Sequence, residues 1–218
     1  MTARTDWPAS AGRRVSPLSA WSARFAAASA TPTRFTIREL AFPTQLNLRG
    51  DATNIQFSSA VRRALGTHLP SQPNTWNGNQ DSQLLWLGPD EWLIVSASSQ
   101  IETLLSRLDE SLQGMHHALT DVSANRTVIE IAGSDTRYVL AKGCSLDLHT
   151  RAFANGQSAQ TLLARTQVIL QSVDGNTVFH LYVRNSFAQY LATWLIDSHA
   201  ECMSSTDLDY PPIASRLN

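Results

Sequence analysis

The run from Ala118 to Asp147, ALTDVSANRTVIEIAGSDTRYVLAKGCSLD, decides the fold class. Asp121-Val122-Ser123 opens it, and such residues end strands and cap local backbone. Thr127 to Gly133 then alternates as a strand. At Gly133-Ser134-Asp135 the glycine permits a sharp turn, and Ser134 or Asp135 can accept a free backbone N–H at a helix start. The spacing predicts a helix over 135–142, closed by Gly143 as its C-cap.

The same unit stands earlier in the chain. Gln45 to Gly50 reads as a strand, Gly50-Asp51 as the turn, and a helix follows within 56–66, closed by Gly66. A hairpin and a second helix follow each unit. In the first half, Leu84 to Leu87 turns at Gly88-Pro89-Asp90 into Trp92 to Val95. A helix then places Ile101, Leu104, Leu105, Leu108 and Leu112 on one face, with Ser99 and Glu102 as a capping box. In the second half, Val168 to Val173 turns at Asp174-Gly175 into Thr177 to Val183. Phe187, Tyr190, Leu191, Trp194 and Leu195 then recur at helical spacing behind Ser186 as N-cap. These readings give an α+β protein of two pseudo-repeated halves of mixed strands and helices, 35–115 and 116–202. Each strand set alone exposes a hydrophobic face, and packing the halves together buries both. Leu69 to Gln83, rich in Pro, Asn and Gln, reads as a loop. Residues 1–34 read as a flexible N-terminal arm and 203–218 as an irregular tail.

Of the 218 residues, 43% are hydrophobic, enough for a sizeable core; the net charge is −1, which gives no electrostatic case for nucleic acid or a charged membrane surface. Charged residues make up 16%, against roughly 25% in ordinary soluble proteins. Either partner chains cover much of the surface, or Ser, Thr, Asn and Gln fill it. Cys144 and Cys202 form neither a disulfide framework nor a metal set, and a reducing compartment fits. The histidines are scattered, and the adjacent His116 and His117 would point to different sides. No run approaches the roughly 20 apolar residues of a membrane span. The first 30 residues carry Arg4, Arg13, Arg14 and Arg24 against Asp6, and are rich in Ala and Ser. They suit a transit peptide or an arm that folds along a partner, with Trp7, Trp21 and Phe25 as anchors.

The order Asp-Val-Ser, strand, Gly-x-Asp turn, helix resembles the folate-binding domain of the glycine-cleavage aminomethyltransferases. The stretches LWLGPDEWLIV (85–95), LAKGCSLDLHTRAFANGQSAQTLLA (140–164) and LYVRNSFAQYLATWLID (181–197) are more specific. They resemble the gamma-subunit family of heterotetrameric sarcosine oxidases over about residues 35 to 200. This resemblance implies a four-chain, cytoplasmic flavoenzyme complex with alpha, beta and delta subunits as partners. Such a complex demethylates sarcosine oxidatively to glycine, makes hydrogen peroxide, and passes the one-carbon unit to tetrahydrofolate or releases it as formaldehyde. FAD, FMN, NAD and tetrahydrofolate would sit on the other subunits. The gamma chain itself would be a non-catalytic structural subunit that binds no cofactor, nucleic acid or membrane.

Departures from the related catalysts point the same way. Aminomethyltransferases hold an acidic residue where this chain reads Leu163-Ala164-Arg165-Thr166-Gln167-Val168. Without an anion there, charge developing at a transferring iminium-like carbon has no stabiliser. Lys142-Gly143-Cys144 resembles part of a motif in a folate-dependent iron–sulfur repair family, but Ser145-Leu146-Asp147 lacks its continuation. A cysteine just past a helix C-terminus has its thiol pKa raised rather than lowered. A free-standing folate-binding aminomethyltransferase-like enzyme or an iron–sulfur repair factor is the alternative reading. Asp121 could meet a pterin, or cap backbone. Arg126, Arg151 and Arg184 could bind folate glutamates, or make surface pairs. Trp86 and Trp92 could stack on a flavin or pterin, or anchor a core or interface. No Gly-x-Gly-x-x-Gly occurs. No catalytic, cofactor-binding or metal-ligating residue is assigned.

Overall fold

In the computed structural model, residues 15–96, 101–174 and 177–204 are described. The helix α1 (Ser22–Ala28) precedes β1 (Thr36–Leu40), β2 (Thr44–Gly50) and α2 (Ile55–Leu65). β3 (Trp76–Gly78), β4 (Ser82–Gly88), β5 (Glu91–Ser96), α3 (Ile101–Ser111) and β6 (His117–Asp121) follow. The second half runs β7 (Arg126–Ala132), α4 (Thr136–Ala141), β8 (Ser158–Leu163), β9 (Thr166–Ser172), β10 (Val178–Arg184) and, after one 3-10 turn, α5 (Ala188–Ser204).

These strands form two five-stranded sheets, ordered β3-β4-β5-β2-β6 and β8-β9-β10-β7-β1, and every pairing is antiparallel. The two orders correspond strand for strand: β2 matches β7, the hairpin β4–β5 matches β9–β10, and β3 matches β8. The outermost pair departs from the expected boundary at 115/116. β6 follows α3 and closes the first sheet on β2, whereas β1, from the start of the chain, closes the second sheet on β7. The two units are therefore 44–121, and 15–40 together with 126–204.

Alternation sends the two faces of each sheet into different layers. On the outer face of the first sheet, Leu46, Leu48, Leu84, Trp92 and Ile94 pack under Phe57, Val61 and Leu65 of α2 and Leu104 and Leu108 of α3. On the outer face of the second, Ile129, Ile131, Phe179, Leu181 and Val183 pack under α4, α5 and α1. A smaller core of Leu85, Leu93, Val95, Val128, Ile169 and Tyr182 joins the inner faces. The layers run helix, sheet, sheet, helix.

Local chemistry explains the matched glycines, and differently in each half. Gly50 faces the ring of Phe57, which a Cβ would approach to 2.3 Å. Gly133 has φ +121° and would push a Cβ to 2.3 Å from the Arg34 carbonyl oxygen. The caps also differ from expectation. Asn54, rather than Asp51, starts α2, its Oδ1 accepting from Gln56 N (2.9 Å) and Phe57 N (3.4 Å). Gly66 closes α2 at φ 69°, as expected. Asp135 makes no capping bond, because Arg34 Nε takes its carboxylate at 2.8 Å. Gly143 does not cap α4, which ends on Lys142 in ordinary helical backbone. It is small because the Trp194 ring would come within 2.6 Å of a Cβ. Ser186 lies inside the 3-10 turn Asn185–Phe187 and is not an N-cap.

Two segments expected to be irregular are built in. Trp21 and Phe25, each 7% exposed, pack with Leu18 into the core of their own chain. Arg24 lies 4.4 Å over the Trp21 ring, and Gln189 Nε2 donates to Pro17 O at 3.0 Å. For residues 15–34 the arm folds on its own domain, since burying Trp and Phe offsets the cost of ordering so short a helix. Within the expected loop 69–83, Trp76 enters β3 and its Nε1 donates to Ser172 O (2.9 Å), tying one sheet to the other. Trp7, Ser99, Gly175 and residues 205–218 lie outside the described residues.

Candidate functional site

The stretch 163–168, where the resemblance to aminomethyltransferases implies an acid, is the β8–β9 hairpin. Leu163 pairs with Thr166, and Ala164 and Arg165 make the turn, Ala164 at φ 53°. The only charge this turn offers is the cationic Arg165. A cation there cannot stabilise a developing iminium-like charge.

The other singled-out residues have structural work. Asp121 Oδ1 accepts from Ser123 N at 2.9 Å, and Ser123 Oγ accepts from Gln45 N at 2.9 Å. Asp121-Val122-Ser123 thus stitches the link between β6 and β7 onto β2. Asn185 extends the stitch, accepting from Thr127 Oγ1 and donating to Ala124 O, both at 2.7 Å. A cavity of about 220 Å³ beside it is lined by Asp121, Arg126, Thr127, Glu39 and Phe42, among others. The Glu39 carboxylate in that wall is held by the Ser16 hydroxyl. Lys142 Nζ donates to Ser198 O (2.6 Å) and Glu201 Oε2 (2.8 Å). Cys144 is partly buried, pairs with Leu163 across an isolated bridge, and has Thr161 Oγ1 at 3.9 Å from its Sγ. Arg151 folds back on His149 Nδ1. Trp92 is fully buried and donates to Pro70 O at 2.9 Å, while Trp86 packs against the same core.

Between the sheets the polar groups are largely spent on one another. Tyr182 Oη donates to Gln171 Oε1 (2.6 Å), and Gln171 Nε2 donates to Gln83 Oε1 (2.9 Å). Burial pushes the Tyr182 hydroxyl well above its usual pKa, so it stays neutral. Glu130, missed in the sequence, meets His180 Nε2 at 3.0 Å and Arg38 Nε at 2.6 Å. The hydrogen bond from His180, then Arg38, outweighs burial and lowers its pKa from 4.5 to about 2. A glutamate inside the apolar alternation Val128-Ile129-Glu130-Ile131 was the available signal. His199 was also missed; it is buried and stacked on Phe35 at 4.4 Å, with Asp135 Oδ2 at 3.8 Å. Among the described residues no group of three or more His, Cys, Asp or Glu could hold a metal, and no helix is long and apolar enough to cross a membrane.

Arg126 and Arg184 differ from all of these. They are opposite each other in the β7–β10 register, and neither forms an ion pair within 4.0 Å among the described residues. Burial first, then the Arg184 charge, pulls the Arg126 pKa down, against the field of Glu91. Arg151 is not brought to them.

A profile of the "Sarcosine oxidase, gamma subunit family" matches residues 49–201. The sarcosine oxidase subunit gamma of Corynebacterium sp. (strain P-1) is 36% identical over 169 residues, covering 77% of this chain and 81% of that one. The chain belongs to the sarcosine oxidase gamma-subunit family. In three dimensions it is similar to a chain of the heterotetrameric sarcosine oxidase from Corynebacterium sp. U-96, solved with pyrrole 2-carboxylate. That match has TM-score 0.79 and 34% identity, over 86% of this chain and 95% of the other. A second likeness, TM-score 0.54 at 15% identity, is to glycine cleavage system aminomethyltransferase T from Bartonella henselae, over 75% of this chain and 46% of that one. It shows the fold alone: this gamma-subunit family member has the mixed α+β fold of the aminomethyltransferases.

Proposed function

We propose that this chain is the non-catalytic structural subunit of a cytoplasmic sarcosine-oxidase-type complex that converts sarcosine to glycine, hydrogen peroxide and a one-carbon unit. Its partners would be the alpha, beta and delta subunits, with FAD, FMN, NAD and tetrahydrofolate carried on them. The observation that carries the reading is the β8–β9 turn, where Ala164-Arg165 stands in place of the acid that one-carbon transfer needs. The mutually bonded Tyr182, Gln171 and Gln83 support it, since these three side chains are spent on one another rather than on a ligand.

The test is to prepare the complex with and without this chain, and the chain by itself. The isolated chain should show no flavin absorbance and no sarcosine turnover. The larger subunits prepared without it should lose assembly or thermal stability. Turnover or tetrahydrofolate binding by the isolated chain would overturn the non-catalytic assignment. A complex equally stable and active without it would overturn the structural one.

A further inference from the structure

The inner face of the second sheet is not fully covered by the first. Leu162 pairs with Gln167, Val183 with Val168, and Arg184 with Arg126. Residues in register on adjacent strands share a face, so one row crosses four strands: Leu162, Gln167, Arg184, Arg126. The row floors an open cleft of about 350 Å³, also lined by Gln160 and Tyr182. Arg165 stands in the hairpin turn at the same end of the sheet.

Three features of the row stand out together. Two guanidiniums face each other across neighbouring strands, where like charges destabilise. Glu91, the acid whose field reaches Arg126, is already bonded by Asn47 Nδ2 at 2.7 Å and paired with Arg49 at 4.0 Å. Leu162, at the far end of the row, is 55% exposed. A fold gains nothing by itself from setting two cations against each other beside an uncovered leucine.

The geometry points to this cleft as a docking surface for an acidic side chain of a partner subunit, whose carboxylate sits between Arg126 and Arg184 while an apolar neighbour covers Leu162. Guanidiniums take carboxylates in two-pronged hydrogen bonds, and two of them around one carboxylate satisfy both of its oxygens. The exposed Leu162 argues for a macromolecular occupant, since a small free carboxylate would leave it in water. This inference rests on the subunit reading above and names the contact through which the subunit would be held.

The test is the double variant R126Q/R184Q in full-length chain, assembled with its partner subunits, against R62Q/R63Q on the exposed outer side of α2 as control. Removing one side of a desolvated charge contact should weaken association at least about tenfold, with a shallower salt dependence, while the control stays like wild type. The free double variant should melt no lower than wild type, because repulsion has been relieved; this separates lost docking from lost folding. Association of the double variant within about threefold of wild type would overturn the inference. So would millimolar acetate shifting the cleft resonances of the wild-type chain and not of the variant while assembly is unaffected, which would make the cleft a small-carboxylate site. If the wild-type chain fails to join the partners at all, the subunit reading falls and the docking surface with it.

Discussion

The two halves have the same strand order but unequal interiors. The first sheet rests on two helices, and its core is built from residues between Leu46 and Leu119. The second borrows Leu18, Trp21, Phe25, Phe35 and Ile37 from the start of the chain, and its inner face carries Glu130, His180, Arg126 and Arg184. Two copies of one plan thus serve different ends. The first half is a self-contained packing unit. The second is completed by a remote segment and holds most of the charge between the layers.

The largest expected effect separates the halves by origin of the core. Trp21→Ala should destabilise the isolated chain by about 3–5 kcal/mol in urea unfolding, as should Trp92→Ala in the first half. If residues 15–34 were instead an arm awaiting a partner, the Trp21 variant would unfold like wild type. Next come the matched glycines. Gly133→Ala meets a backbone carbonyl and an unfavourable φ, and should cost about 3–4 kcal/mol, the sum of overpacking and backbone strain. Gly50→Ala meets only the buried Phe57 ring and should cost about 1–3 kcal/mol. Equal costs would mean that the two turns are interchangeable after all.

A smaller effect follows from Glu130. Its folded pKa lies below its usual 4.5, at about 2, so the carboxylate stabilises the fold above pH 4.5 and that contribution fades as pH falls toward 2. Glu130→Gln should lose about 1–3 kcal/mol at neutral pH and flatten the acid limb of stability against pH. An unchanged limb would remove Glu130 from the account. Cap loss is smaller again: Asn54→Ala should cost about 1 kcal/mol. Cys144→Ser should leave the activity of the assembled complex within about tenfold, or 1.4 kcal/mol of barrier; a larger loss with intact assembly would make the thiol reactive.

The hairpins, the main helices and both turn glycines were legible because period-2 and helical spacing are local signals. The unit boundary was not. Whether β1 or β6 closes a given sheet is a matter of long-range pairing, and nothing within Thr36–Leu40 names Val128–Ala132 as its partner. Trp76 reads as part of a polar loop because a three-residue strand has no period to read. At the candidate site, the lack of any carboxylate in 163–168 is legible directly. The Arg126–Arg184 juxtaposition is not legible there, since it depends on the β7–β10 register, which neither arginine signals by itself.

The exchanged outer strand also sets an order of events during synthesis. The first unit, 44–121, can close on itself as soon as β6 has left the ribosome. β1 and α1 emerge earlier but have nothing to pair with until β7 and the helices after it are made. The nascent chain therefore carries an unpaired strand from residue 40 until β7 is complete at residue 132, the kind of exposed edge that recruits other chains. Shortening the start of the protein would leave β7 as a raw edge in the finished molecule, whereas a circular permutant with β1 joined behind α5 would let each unit fold from one continuous stretch of chain.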